Sequence, residues 1–233
     1  MKRPPPASPH PAPRLILASG SPRRRELLAA SGVRAEIVIP GVDESMPRGM
    51  TPRRAALAIA RRKARAVASR LPTEQAPTII LAADTVVALG DRILGKAKDA
   101  ADAARILRLL SGTTHRVITG VCAIEMPSRR VQQFAVTTKV VMRTWKPAEV
   151  RAYVGSGEWI GKAGAYAIQE SADRFVTSVR GSWTNVVGLP MERVAALLTS
   201  AGIACSRSLS DRNRSNDRGL EAPAAPASRR ARR

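Results

Sequence analysis

Residues 79–88, IILAADTVVA, form a strongly apolar run of strand length that is interrupted by one carboxylate, Asp84, with Thr85 behind it. The run predicts a β-strand. Burying an unpaired carboxylate costs several kcal/mol, so Asp84 requires a cation, a metal ion or a raised pKa. A functional site would supply one of these, and so would a structural arginine at a strand end. Both readings stay open from this segment alone.

A second segment, Leu15 to Leu28 (LILASGSPRRRELL), reads as a short strand, an N-cap at Ser21 and a helix entered through Pro22. Arg23, Arg24 and Arg25 then fall in the first helical turn. Backbone N–H groups and the helix dipole already make that turn positive, which disfavours cations by roughly 0.3–1 kcal/mol each unless an anion compensates. A phosphate group would do so. An ordinary capped helix in an arginine-rich chain would present the same residues.

The remaining pattern defines the fold class. A helix follows Thr51-Pro52 with a basic face, and a third runs from near Asp99 to Gly112 with Ile106, Leu107, Leu109 and Leu110 on its buried side. Residues 36–40 read as a strand, and Gly90-Asp91 as a turn into Ile93-Leu94. Residues 115–125 and 131–143 alternate as two long strands joined at Met126-Pro127-Ser128, an antiparallel hairpin. Helices near 147–154 and 190–200 flank a strand near 174–179. Apart from the short 36–40 segment, the order β-α-α-β-β-α-β-β-α-β-α predicts an α/β fold, a mixed sheet flanked by helices.

Composition narrows the chemistry. Of the +21 net charge, residues 206–233 carry +5 and residues 1–14 carry +3, leaving +13 on the body, which suits an acidic substrate or nucleic acid. Both ends are rich in Pro, Ser, Ala and Arg without an apolar period. They read as a disordered extension (1–14) and a disordered basic tail (206–233) around one domain at 15–205. No apolar run has the length of a membrane span, and the first residues lack the apolar stretch of a secretory signal. Cys122 and Cys205 are the only cysteines, so the chain reads as a soluble cytoplasmic protein. One histidine in the body, His115, disfavours a Ser-His-Asp hydrolase or a His-rich zinc site, and it reads as structural. Aromatic residues at 3% argue against a base-stacking nucleic-acid platform. Asp43-Glu44, in a loop flanked by Gly and Pro, offers oxygen ligands for Mg²⁺, or solvated loop charge. Lys96 and Lys162 each follow a glycine and could reach a phosphate, although neither sits in a Walker A spacing.

These features together resemble the Maf family of nucleoside triphosphate pyrophosphatases, over about Leu15 to Leu198. The matching blocks are Ser19-Gly20-Ser21-Pro22-Arg23-Arg24 with Glu26-Leu27-Leu28; Asp43-Glu44; Arg62-Lys63-Ala64; Ala83-Asp84-Thr85-Val86-Val87; Leu110-Ser111-Gly112 with His115 and Thr119-Gly120-Val121; Lys162 to Gln169; and Asn185 to Pro190. The resemblance implies an inosine triphosphatase-like fold, an elongated mixed sheet whose two lobes flank a nucleotide cleft, commonly as a homodimer. It implies hydrolysis between the α and β phosphates of a nucleoside triphosphate.

Within that resemblance Asp84 matches the proton acceptor. Ser21, Arg24, Lys63 and Lys96 match phosphate-binding positions, and Glu44 a ligand of Mg²⁺ or Mn²⁺. Arg23, Thr85 and Gln169 look like the dTTP/UTP group, whereas the group acting on 7-methyl-GTP typically carries Trp at the position of Arg23. A glutamine amide both donates and accepts, which matches the O4 and N3–H edge of uracil or thymine. The chain departs from the family pattern at Glu170 (usually Gly), Ala97 (usually Pro) and Trp183 (frequently Tyr). The rival function is a regulator of cell division that binds nucleotide or nucleic acid without turnover; for the hydrolase, nucleic acid is not an expected partner beyond weak binding through the basic tails.

Overall fold

The strand expected at 79–88 is β3 (Thr78–Leu89), which is buried along nearly its whole length. The computed structural model describes residues 13–46, 49–72 and 76–206 of the chain. Ile80, Ala82, Val86 and Ala88 pack on one side of β3, while Ile79, Leu81, Ala83 and Val87 enter the main core on the other. Cover on both faces explains why the run is continuously apolar rather than alternating.

The other elements are β1 (Arg14–Leu17), α1 (Pro22–Ala30), β2 (Glu36–Ile37), α2 (Pro52–Ala68), β4 (Arg92–Leu94), α3 (Ala100–Leu110), β5 (Thr114–Met126), β6 (Arg130–Met142) and α4 (Pro147–Gly155). They are followed by a 3₁₀ turn (Ser171–Phe175), β7 (Val176–Arg180), α5 (Trp183–Val187) and α6 (Met191–Ser200). The strands form one sheet in the order β2-β1-β3-β5-β6-β7, with β4 also on β3. β1 lies parallel to β2 and β3, and the remaining pairs are antiparallel, so the expected mixed α/β sheet is borne out.

One detail of register positions the site. On one edge β3 pairs with β5 from Thr78 to Ala88. On the other, β1 accompanies it from Thr78 to Leu81 and β4 only from Val87 to Leu89. Ala82 to Val86 have no strand neighbour on that edge among the described residues. The sheet therefore opens at Asp84 and Thr85, whose side chains point to opposite faces.

α2 covers the face that carries Asp84, and it lies close because β5 has Gly120 directly across from Asp84. A Cβ on Gly120 would stand 2.5 Å from the backbone carbon of Ala56 and 2.6 Å from the nitrogen of Leu57. Backbone atoms cannot swing aside, so Gly120→Ala must push α2 off the sheet. The expected loss is about 3 kcal/mol, the upper end of the overpacking range, read as a lower denaturant midpoint. An unchanged midpoint would show that α2 does not pack this closely.

The opposite face holds α3 to α6 over a core containing Trp145, Tyr153 and Phe175. His115 is structural, as expected. It is buried, its Nε2 lies 2.8 Å from the Tyr166 hydroxyl, and burial lowers its pKa to about 4, so the ring stays neutral.

Three expectations are corrected. The strand expected at 36–40 is only Glu36–Ile37, because Pro40 and the left-handed Gly41 (φ 60°) turn the chain away. The strand near 174–179 begins at Val176, after the 3₁₀ turn. α5, which the sequence did not suggest, is five residues capped by Ser182, too short to show an apolar period. The disorder expected at the ends falls mostly on residues 1–12 and 207–233, outside the described residues. At the boundaries Arg14 opens β1, and the Ser206 N–H donates to the Ser31 carbonyl.

Candidate active site

The opening in the sheet becomes a cleft of about 960 Å³, lined by Ser21, Arg23, Arg24, Glu44, Lys63, Asp84, Thr85, Lys96 and Gln169. All nine residues singled out in the sequence therefore meet in one place. They come from α1, the 38–46 segment, α2, β3, the end of β4 and the 156–170 segment.

Lys63 is the hub. It lies on α2 among Ile59, Ala60, Ala64 and Val67, and its side chain is only 5% exposed. Its Nζ is 2.7 Å from Asp84 Oδ1 and 2.7 Å from Glu44 Oε1. Glu44 Oε2 in turn lies 2.8 Å from Lys96 Nζ, which is exposed. The buried carboxylate on β3 has thus acquired a cation, and an alternating row of charges, Asp84, Lys63, Glu44 and Lys96, crosses the cleft. Partial burial raises the Glu44 pKa, but the two lysines outweigh this and hold it at about 2.

Asp43 and Glu44, expected as a pair, are split. Asp43 bends back on its own loop and accepts from the Ser45 N–H and hydroxyl, leaving Glu44 alone to enter the cleft. The loop is fastened by α2 and the turn that follows it. Arg62 donates to the carbonyls of Asp43 (2.5 Å) and Ser45 (3.3 Å), and Arg70 to those of Ile39 (3.1 Å) and Pro40. α2 and the turn that follows it therefore supply the central cation and the anchors that place Glu44 against it.

Arg24 is buried at the start of α1. Its Nε donates to the Gly188 carbonyl (2.8 Å), Nη1 to Ser19 Oγ (3.1 Å) and Nη2 to Thr85 Oγ1 (3.1 Å). Thr85 is also 2.9 Å from Thr119 Oγ1, which donates to the Asn185 carbonyl. The guanidinium has five N–H donors, so this cradle fixes it and leaves donors over. Ser21 occupies the N-cap position, yet its side chain makes no capping bond; its N–H donates instead to Ser19 Oγ. No acid occupies the first turn of α1. Arg23 is half-buried in the cleft, where desolvation lowers its pKa and Glu170 opposes the shift. Arg25 faces solvent.

Gln169 is exposed on the cleft wall beside Glu170. Glu170 pairs with Lys162 Nζ at 2.9 Å, so the unusual carboxylate arrives with its own counter-ion. The sequence did not single out Ser19, Thr119, Asn185 or the anchors Arg62 and Arg70 by role. The first three were within reach, as polar residues in the quoted blocks, whereas the arginines bind backbone carbonyls that no side-chain pattern reveals.

Counted along the cleft wall, five cationic side chains (Arg23, Arg24, Lys63, Lys96, Lys162) face four carboxylates (Glu26, Glu44, Asp84, Glu170). Among the described residues no cluster of three or more His, Cys, Asp or Glu could hold a metal ion. No helix among them is long and apolar enough to cross a membrane.

A sheet opened around a cation-paired carboxylate, beside an unneutralised helix N-terminus, defines an α/β protein with a polar cleft suited to a phosphorylated ligand. The chain belongs to the Maf family: the family model described as Maf-like protein matches residues 14–201. It is 46% identical over 198 residues to a protein named dTTP/UTP pyrophosphatase from Mesorhizobium japonicum, covering 84% of this chain and 95% of that one. It is 51% identical over 193 residues to one of the same name from Anaeromyxobacter dehalogenans strain 2CP-1, covering 82% and 95%. A solved nucleoside-triphosphatase / dITP/XTP pyrophosphatase from Mycobacterium abscessus aligns with 55% of this chain and 72% of its own at 17% identity. Its TM-score is 0.32.

Proposed function

We propose that the chain is a nucleoside triphosphate pyrophosphatase acting on dTTP and UTP. Water supplies the oxygen, the bond between the α and β phosphates breaks, and the products are the nucleoside monophosphate and pyrophosphate. The observation that carries this reading is the Asp84–Lys63–Glu44–Lys96 row beside the start of α1.

Asp84 takes the proton of the attacking water. Lys63 orients that carboxylate and, with Lys96, Arg24 and Ser21, binds phosphate oxygens and the charge that grows on departing pyrophosphate. The near balance of cations and carboxylates in the cleft leaves a triphosphate short of positive charge, which fits a requirement for a divalent ion. Glu44 is the residue that would hold Mg²⁺ or Mn²⁺. A single protein carboxylate suits an ion that keeps water and substrate phosphate as its other ligands, and when bound the ion neutralises phosphate charge.

Base choice is assigned to Gln169 and Arg23, with Thr85 acting by holding Arg24. Turnover of dTTP and UTP ahead of CTP, releasing pyrophosphate in the presence of Mg²⁺ or Mn²⁺, is the expected outcome of a substrate panel. Nucleotide binding without product would favour the regulator reading. Release of orthophosphate would move the cleavage to the wrong bond.

A further inference from the structure

Of the four large apolar side chains exposed among the described residues, two, Ile39 and Ile160, line the cleft. Ile39 belongs to the phosphate end, since its Cγ1 would lie 3.9 Å from a Cβ on Gly20, next to Ser21. Ile160 is 66% exposed in the segment that leads to Gln169. Isolated apolar residues are common on protein surfaces and need no explanation by themselves. The presentation of Ile160 is different.

Ile160 sits in a turn between Gly157 (φ 75°) and Gly161 (φ 71°), where its N–H donates to the Gly157 carbonyl at 3.1 Å. The other side chains of the turn are tied down. The Trp159 indole donates to the Val154 carbonyl (3.0 Å), and the Glu158 carboxylate accepts from the N–H (3.1 Å) and hydroxyl (2.8 Å) of Ser171. Lys162 clamps the Glu158 carbonyl and Glu170 together. A hydrogen-bonded turn therefore presents one β-branched side chain on the cleft wall that carries Gln169, its Cδ1 lying toward Gly157.

We propose that Ile160 is a base-binding residue that packs against the flat face of the pyrimidine while Gln169 reads its edge. This rests on the nucleoside triphosphate reading above. A nucleobase face has no hydrogen-bonding groups, so apolar contact is what can bind it, and a side chain whose branching restricts χ1 loses little entropy on contact. A face contact is blind to the edge, so its loss must weaken all pyrimidine nucleotides alike.

The test is steady-state kinetics of Ile160→Ser, with inorganic tripolyphosphate as a competing ligand that has phosphates but no base. The expected rise in KM is about five- to tenfold, by the same factor for dTTP and UTP, with the tripolyphosphate inhibition constant unmoved and Ile160→Leu restoring KM. An unchanged KM, or equal weakening of tripolyphosphate, would overturn the proposal. If the wild-type protein turns over no nucleotide, the hydrolase reading falls by itself. Calorimetric binding of dTTP and tripolyphosphate to the same variants then decides the base contact by the same criterion.

Discussion

Asp84→Asn is expected to lower pyrophosphate release at least about 100-fold while leaving the nucleotide bound at least as tightly as before. The substitution keeps size and shape, and an amide oxygen can still accept from Lys63, which sits 2.7 Å away and retains Glu44 as its counter-ion. What it removes is the ability to take a proton. It also removes one of four carboxylates from a cleft with five cations, which favours a triphosphate electrostatically. Loss of binding and loss of turnover should therefore separate. Product release and calorimetric binding on the same preparation measure the two. A variant that still turns over at the wild-type rate would remove Asp84 from proton transfer.

Asp84 was legible because a strand buried on both faces has no place for a charge, and the sequence shows both the strand and the charge. Lys63 was legible in part. Its basic helix was evident, and its position in line with Ile59, Ala60, Ala64 and Val67 marks the buried stripe of α2, although only the family resemblance assigned it to phosphate. The sheet was legible as a mixed one. The gap between β1 and β4 that lets α1 reach Thr85 was not, because it depends on which strands share an edge of β3. The separation of Asp43 from Glu44 also escaped, since it is set by Arg62 and Arg70 gripping carbonyls. The same is true of Thr85, which read as a specificity residue and is found holding Arg24 and Thr119. Side-chain chemistry is written in the sequence; the partner often is not when it is backbone.

Lys63→Met is expected to cost about 3–5 kcal/mol, the range for breaking a buried ion pair from one side, against a total domain stability of about 5–15 kcal/mol. Methionine fills similar space, so little of this is packing. The cost arises because Asp84, 11% exposed, is left without its ion-pair partner. The double variant Lys63→Met/Asp84→Asn should then be more stable than Lys63→Met alone, since a neutral amide does not need the cation. The reverse order of denaturant midpoints would show that Asp84 draws its support from elsewhere. Acidification supplies a second check through Glu44, whose pKa is held near 2 against an ordinary 4.5. A carboxylate with a depressed folded-state pKa contributes stability that is present above about 4.5 and is lost as the pH falls toward 2. Lys63 is one of the two cations responsible, so wild type loses this contribution on acidification and Lys63→Met has less of it to lose. Glu44 therefore narrows the stability gap between the two proteins across that window, and a gap that stayed constant would mean Glu44 is held by Lys96 alone.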